Sequence, residues 1–300
     1  MSIAAHTLGP GACLDLPSVA GSNFRRDSII VVVGAGRGSV LTLPEPLAGL
    51  WIPLRGRLQF SGGKCEYMLT RGDLRVAEPE RSVRATGRGN ALWIAVLGSR
   101  AAWRNTFAGS TVLPMLEPLL LPALHHAQRE LRRQAVALAR AACRGADRDA
   151  QAATDSVIDY VISMQNRFAD VIARCPGRSY TQRRQVFLRL QRVRNYVRSN
   201  CHLDLDNDAL ARMANYSTWH FIRAFRAAYG ETPHAHVIRE RLERARHLLR
   251  TSPLAVAEVA CASGFENRCA FSRLFRQRFG TTAGSVKRQF GEDQRSRARV

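Results

Sequence analysis

The chain has 300 residues, 46% of them hydrophobic, and a formal net charge of +21. This length suggests two domains, or one domain with a helical extension, and the basic excess indicates a polyanionic partner. The seven cysteines include no Cys-x-x-Cys pair, so neither a zinc site nor a disulfide framework is indicated, which fits a reducing cytosol.

Residues 1–105 are predicted to form a β-rich domain. A β-branched run at 29–33, strand-like pieces at 50–60 and an apolar segment at 91–97 are separated by turn signals rich in glycine. Short strands at close spacing are typical of a small sandwich or barrel. The run at 28–33 is far too short to cross a bilayer, and the first residues lack the pattern of a signal peptide. We therefore expect no membrane partner.

Residues 106–175 are predicted to be helical. Apolar residues recur at helical spacing from about 112 to 143, Gly145 and Asp147 interrupt the pattern, and a second stripe runs from Val157 to Ile172. Two interpretations stay open, because these helices are candidates for a homodimer interface or simply pack on the barrel. The adjacent His125 and His126 are expected on the surface of the first helix, poorly placed to share one metal.

The polar and basic stretch 176–187 is predicted to be a linker, and residues 188–290 are predicted to form short helices. About seven are expected, near 186–199, 208–214, 217–228, 233–250, 254–262 and 267–278, with a last one after Thr282. Asp206 or Asn207 is a candidate cap for the second, and Thr232 with Pro233 marks the start of the fourth. The basic tail 291–300 is predicted to be disordered.

One pattern occurs twice in this region, offset by 50 residues. Phe221, Arg223, Phe225, Arg226, an aromatic residue, glycine and threonine recur in register with Phe271 and the residues after it. Each copy is preceded by a short apolar helix and a turn, the arrangement of a helix-turn-helix. With both phenylalanine pairs inward, the outward stripes are Trp219, Arg223 and Arg226 in the first copy and Cys269, Arg273 and Arg276 in the second, with Arg268 and Ser272 beside it.

Arginine forks in a groove pair with guanine edges, so these stripes predict an interface with double-stranded DNA. The alternatives are that the arginines are only solvated charges and that Trp219 packs in the core or as a helix cap.

Residues 186–290 resemble the DNA-binding domain of AraC/XylS-type transcription regulators. The resemblance rests on Arg241-Leu242-x-x-Ala245-x-x-x-Leu249, Val259-Ala-x-x-x-Gly264-Phe265, Phe271-x-x-x-Phe275 and Gly280-x-Thr282-Ala283. It implies two recognition helices in successive major grooves on one face of DNA, with Ile222 also facing the bases, and RNA polymerase as a partner. Two departures are Ile222, where a polar reader is common, and Ala283 in place of the usual proline.

The first domain more weakly resembles the cupin-like regulatory domain of the same family, through Trp51-Ile-Pro-Leu-Arg-Gly56 and Leu69-Thr-Arg-Gly72-Asp73-Leu74. His6 is the single histidine among the first hundred residues, so the ligands for a metal-dependent cupin enzyme are missing, and no metal or cofactor is predicted. A pocket for a small-molecule effector would be lined by Trp51, Phe60, Tyr67 and Trp93, with Arg55 or Arg57 at its mouth for an acidic effector. The alternative is that these aromatic residues are the barrel core.

The sequence therefore predicts an α+β chain with an N-terminal β-rich cupin-like domain, a helical connecting region and a C-terminal all-α domain with two helix-turn-helix units. The predicted function is that of a cytoplasmic, nucleoid-associated and non-enzymatic transcription regulator, with an activator favoured. One alternative is a ligand-independent regulator switched by a partner protein. Another is an enzyme fused to a DNA-binding domain, such as a DNA-repair alkyltransferase, which the cysteine spacing disfavours.

Overall fold

The computed structural model describes residues 3–16, 28–43, 47–62, 65–77, 83–107, 120–126 and 128–289. Backbone contacts divide the chain into two compact units, Met1–Ala169 and Asp170–Val300. The first contains the strands and the second is helical, which confirms a β-rich N-terminal region and a helical C-terminal domain. The cupin-like character of the first unit stays a prediction, and the predicted disordered tail 291–300 lies outside the described residues.

Among the residues that the structure describes, nine strands form the sheet of the first unit. In chain order they are β1 (Ile3–Leu8), β2 (Cys13–Asp15), β3 (Ile29–Ala35), β4 (Val40–Leu43), β5 (Ala48–Gly62), β6 (Cys65–Thr70), β7 (Asp73–Ala77), β8 (Val83–Gly98) and β9 (Ala123–His126). The main path across the sheet is β1-β3-β8-β5-β7-β9, with β6 on β5, and β4 pairing with both β2 and β8.

The two long strands β5 and β8 run through the middle of this sheet and pair antiparallel. Their register shifts between Pro53 and Arg55 and again between Arg55 and Arg57, so the strands bend there. Gly56 lies in the bend with φ +70, and a Cβ at this position would come within 2.8 Å of the Ala91 backbone. The bend therefore requires glycine.

In the described part of this unit three helices accompany the sheet: α1 (Arg100–Phe107), α2 (Arg129–Arg144) and α3 (Asp147–Gln165). Leu131 and Leu138 of α2 and Val157 and Val161 of α3 share one buried cluster with residues of the sheet. Burial of this kind removes apolar surface from water, so it stabilises the unit. Of the two open interpretations for these helices, packing on the sheet is thus observed.

The prediction of one helical tract from 112 to 143 is wrong in its middle. Residues 123–126 form β9, which pairs antiparallel with β7 through Asp73 and Val76, and α2 begins only at Arg129. The prediction for His125 is also wrong, because its side chain is 1% exposed and its Nδ1 lies 3.0 Å from an Arg167 nitrogen. Pairing with a distant strand, which local periodicity does not reveal, overrides the helical pattern.

The second stripe is not one helix either. After α3 ends at Gln165, α4 spans Arg167–Arg174, with Asn166 between them.

The predicted linker 176–187 is shorter than expected, because α5 runs over Tyr180–Asn200. Ser179 and Gln182 form a capping box at its start, with the Gln182 amide donating to Ser179 Oγ over 3.2 Å. This local signal was present in the sequence and was missed.

The remaining helices of the second unit lie close to their predicted positions. They are α6 (Asn207–Met213), α7 (Thr218–Tyr229), α8 (Pro233–Thr251), α9 (Val256–Ala262) and α10 (Arg268–Phe279). Residues 283–289 are helical too and are named α11. The Ser285 amide donates to Thr282 Oγ1 over 3.1 Å, so Thr282 caps α11 although Ala283 replaces the expected proline.

Candidate nucleic-acid interface

The first candidate recognition helix, α7, is fixed by its apolar face. Phe221 and Phe225 are fully buried and their ring centroids lie 5.6 Å apart, as expected for residues four apart on one helix face. Gly230 ends the helix in the left-handed conformation at φ 74, a position that favours glycine. The local sequence thus determines both the inward face and the end of α7.

The opposite face of α7 presents an aromatic and basic surface. Trp219 is 59% exposed, and the Arg223 guanidinium lies 4.4 Å above its ring. Trp219 is therefore a surface residue, which excludes core packing for it. Arg226 is exposed one turn further along, whereas Ile222 is half-buried at the margin of this face.

The second candidate recognition helix, α10, repeats this construction. Asn267 caps it, its Oδ1 accepting from the amides of Cys269 and Ala270 over 2.9 and 3.0 Å. Phe271 and Phe275 are buried, with ring centroids 5.5 Å apart. The helix ends at a left-handed glycine at φ 70, as α7 does.

The outward face of α10 carries five of the predicted contact residues. Arg268, Cys269, Ser272, Arg273 and Arg276 are all exposed. A surface groove of ≈ 690 Å³ runs beside the last three, and its other wall is formed by residues 282–284 at the start of α11. The predicted residues of each copy thus share one surface on their own helix, which is the arrangement that reading DNA requires.

Two groups of arginines in this unit differ in what they contact. One group supports the fold: Arg241 donates to the carbonyls of Cys201 and Leu203 over 2.7 and 2.9 Å, and Arg244 donates to the carbonyl of Ala262 over 3.1 Å. The second group comprises the predicted contact arginines of α7 and α10. Within residues 128–289 no ion pair involves any of these, so their charge is free for a polyanion.

The turn inside each helix-turn-helix needs a left-handed residue. In the second copy Gly264 has φ +89, and a Cβ there would lie 2.9 Å from Arg241 Nε. In the first copy Asn215 takes this role at φ 55, the one non-glycine residue with positive φ among those described. Asn215 was not among the predicted turn residues, although asparagine is the residue that tolerates this conformation best after glycine.

A polar cluster at the start of α8 holds the corner between α7 and the rest of the unit. Glu231 Oε1 lies 3.0 Å from both His236 Nδ1 and an Arg239 nitrogen, and His236 is 1% exposed. Burial by itself favours a higher pKa for Glu231, but hydrogen bonds from His236 and Arg239 and the charge of Arg239 outweigh it and lower the pKa to about 2. This cluster was also missed, because its members are recognisable only by their contacts.

The predicted effector-pocket residues of the first unit are mostly core. Trp51, Phe60 and Trp93 are at most 1% exposed, with the Trp51 ring 4.9 Å from Phe60 and 6.1 Å from Trp93. Arg55 is exposed, and its guanidinium donates to the side chain of Asn90 over 2.8 Å. Tyr67 lies in β6, but its side chain is outside the described residues. These contacts favour the core interpretation.

The described ranges hold no group of three or more His, Cys, Asp or Glu residues placed to bind a metal ion. Among the same residues, no helix has the length and apolar character needed to cross a membrane.

Comparison with known proteins gives matches in the helical unit. Residues 210–289 match a family model described as a helix-turn-helix domain. The HTH-type transcriptional regulator GlxA of Rhizobium meliloti (strain 1021) is 43% identical over 88 residues, which is 29% of this chain and 27% of that protein. The transcriptional activator NphR of Rhodococcus sp is 36% identical over 101 residues, 33% of this chain and 30% of that protein.

A solved structure of the DNA-binding domain of AdpA, described as a global transcriptional factor in complex with a target DNA, is 31% identical with a TM-score of 0.32. The match covers 34% of this chain and 91% of that one. The matched stretch thus spans about a third or less of the two curated relatives.

Proposed function

Because the C-terminal helical domain is of the AraC/XylS helix-turn-helix type, we propose that this chain is a sequence-specific transcription regulator that reads double-stranded DNA with α7 and α10. The observation that carries the proposal is the duplicated helix. Each copy buries a phenylalanine pair and exposes arginines that no carboxylate neutralises within the described residues. Two such helices in successive major grooves would cover about 20 base pairs on one face of DNA.

The proposed contacts differ between the two helices. On α7, Arg223 pairs with guanine while Trp219 contacts thymine methyl groups or sugar, and Ile222 offers only apolar contact. On α10, Arg273 reads a guanine edge. Arg268 and Cys269 face the bases beside Arg273, as the family resemblance implies, and Arg226, Ser272 and Arg276 fix the position of each helix. Because the two faces differ in composition, the DNA site is asymmetric, with two dissimilar half-sites read by one subunit.

The role of the whole chain is also part of the proposal. The N-terminal unit senses a small-molecule effector or forms a homodimer, and DNA binding by the C-terminal unit recruits RNA polymerase to activate transcription in the cytoplasm. The name of the relative NphR, a transcriptional activator, supports activation. The domain boundaries 1–105, 106–175, 176–187 and 188–290 remain our prediction for how these activities are divided, with α5 beginning inside the proposed linker.

Selection of bound duplexes from random DNA tests the proposal, followed by footprinting of the full chain on the selected sequence. We expect a protected region of two major-groove turns. Arg273→Ala should reduce the preference at one base pair by about 1–3 kcal/mol. Arg295→Ala should weaken binding to all sequences and reduce the slope of log K against log salt concentration by about one. Protection of a single groove, or equal and sequence-neutral effects of both substitutions, would refute the proposal.

A ligand-independent regulator switched by a partner protein is the second candidate. Tight packing of Trp51, Phe60 and Trp93 in the core favours it over a small-molecule sensor. Thermal-shift measurements with small acids and aromatic compounds, beside affinity capture of protein partners, separate the two. Stabilisation by a small molecule would support the sensor, and its absence together with a captured partner that alters DNA binding would support the second candidate.

A further inference from the structure

The internal repeat extends beyond the recognition helices to the helices that support them. The last aromatic residue of α7 is Tyr229, and the Arg194 guanidinium of α5 lies 4.3 Å above its ring. The last aromatic residue of α10 is Phe279, and the Arg246 guanidinium of α8 lies 4.7 Å above that ring. In each group of three helices, α5–α7 and α8–α10, an arginine of the first helix therefore covers the final aromatic residue of the third.

Further contacts fasten the end of α7. The Tyr229 hydroxyl donates to Gln191 Oε1 over 3.1 Å. Burial raises the pKa of Tyr229 above its usual range despite the opposing charge of Arg194, so the phenol stays protonated and remains a donor. Arg174 donates to the carbonyl of Ala228 over 3.2 Å, which satisfies one of the free carbonyls at the helix end.

The end of α10 is fastened by ions instead. Phe279 has no hydroxyl, but Glu243 of α8 lies 3.0 Å from Arg246 and 3.5 Å from Arg278 of α10. The corresponding aromatic ring is thus covered by an arginine in both groups of helices, by Arg194 on Tyr229 and by Arg246 on Phe279. The surrounding contacts differ, with a hydrogen bond from the Tyr229 hydroxyl in one and a carboxylate beside Arg246 in the other, so the stacked arginine is the shared feature.

The position of these contacts along each helix has a geometric consequence. Arg223 lies six residues before Tyr229, which is about 9 Å along the helix axis. The buried phenylalanine pair anchors the middle of α7, and the stack, together with the hydrogen bonds of Tyr229 and Ala228, anchors its end. Two anchors along one axis set the direction of the helix, whereas one anchor leaves it free to tilt. Bidentate reading of a base tolerates displacements of only about 0.5 Å.

We propose that Arg194 and Arg246 are positioning residues, each setting the angle at which one recognition helix enters its groove without itself touching DNA. The inference rests on the proposed function and adds to it a separate determinant of specificity for each half-site. The positive charge of each arginine also interacts favourably with the dipole at the C-terminal end of the recognition helix. That effect alone would change the stability of the protein and not its preference for particular bases.

The experiment uses the full chain and the duplex obtained by selection, together with two altered duplexes in which one or the other half-site is replaced. The first half-site is defined as the one whose preference Arg223→Ala relaxes. Dissociation constants are measured by fluorescence anisotropy at several salt concentrations for Arg194→Ala and Arg246→Ala. Arg184→Ala on α5 and Arg250→Ala on α8 are matched controls, because each removes the same charge from the same helix and, among the described residues, neither side chain makes a hydrogen bond, ion pair or ring contact.

We expect Arg194→Ala to reduce discrimination at the first half-site about tenfold and to leave the second unchanged, with Arg246→Ala giving the reverse. The salt dependence of both should equal that of the controls. Tyr229→Phe should stay within about twofold of the unaltered chain, because Phe279 performs the same role without a hydroxyl. If Arg194→Ala does not fold, Tyr229→Leu removes the stacked ring and should give the same half-site-specific loss.

Equal loss at both half-sites, discrimination like that of the controls, or a salt dependence lowered by about one unit would overturn the positioning role, the last by indicating a phosphate contact. Failure of the proposed function looks different. In that case the unaltered chain itself would not distinguish the selected duplex from either altered one.

Discussion

The cluster at the start of α8 gives a stability prediction with a defined pH dependence. Glu231 lies between His236 and Arg239, and its side chain is 26% exposed. The pKa of its carboxyl falls from 4.5 to about 2 in the folded protein. At about 1.4 kcal/mol per pKa unit, the ionised carboxylate stabilises the fold by at most roughly 3 kcal/mol, because the side chain is partly exposed and water screens its charge.

Because the folded-state pKa is below the unfolded-state value, this stabilisation is complete above pH 4.5 and is lost as the pH falls towards 2. Glu231→Gln removes the charge but keeps an oxygen acceptor. We expect the variant to unfold more easily than the unaltered chain at pH 7, by about 2–3 kcal/mol. That difference should shrink steadily below pH 4.5 and approach zero near pH 2.

Urea unfolding followed by far-ultraviolet circular dichroism at a series of pH values measures this difference. Glu266→Gln is the matched control, because Glu266 is exposed and makes no described contact, so it should leave the unfolding midpoint unchanged. A difference for Glu231→Gln that is independent of pH would refute the electrostatic explanation. So would a difference that grows on acidification.

Three further predictions concern the packing and the reading faces. Phe275→Ala should destabilise the helical unit by about 3–5 kcal/mol in urea unfolding, because the side chain is fully buried. Gly264→Ala should destabilise the helical unit more than Gly280→Ala. Both glycines have positive φ, but only at Gly264 would a Cβ come close to a neighbour, Arg241 Nε at 2.9 Å. Equal losses of stability would show that backbone strain alone determines the cost. Trp219→Ala should change the free energy of unfolding by less than about 0.5 kcal/mol, since the ring is 59% exposed, yet it should weaken binding to the selected duplex. A large loss of stability with unchanged binding would show that Trp219 contributes to packing and not to DNA binding.

Much of the second unit could be predicted from sequence, because its signals are local. The helix-turn-helix pattern depends on residues three or four apart, and the caps at Asp206, Thr232 and Asn267 act within one turn. The capping box at Ser179 is equally local, so the sequence contains enough information to place the start of α5.

The first unit was harder to predict because strand pairing joins distant residues. Residues 123–126 have an apolar pattern compatible with a helix, and only the partner strand β7 makes them a strand. Burial of His125 follows from that pairing. Whether Trp51 and Trp93 line a pocket or fill the core likewise depends on how the bent strands β5 and β8 meet.

The sequence by itself determined that two helices with buried phenylalanine pairs carry basic outward faces, because a helical period of 3.6 residues is recognisable from residues three and four positions apart. Only the tertiary structure decided which arginines are available to DNA. Arg241 and Arg244 bind carbonyl oxygens of other segments, and Arg194 and Arg246 cover aromatic rings. These residues have the same side chain as Arg273. What each does is set by partners 18 to 40 residues away in the chain, which no local pattern specifies.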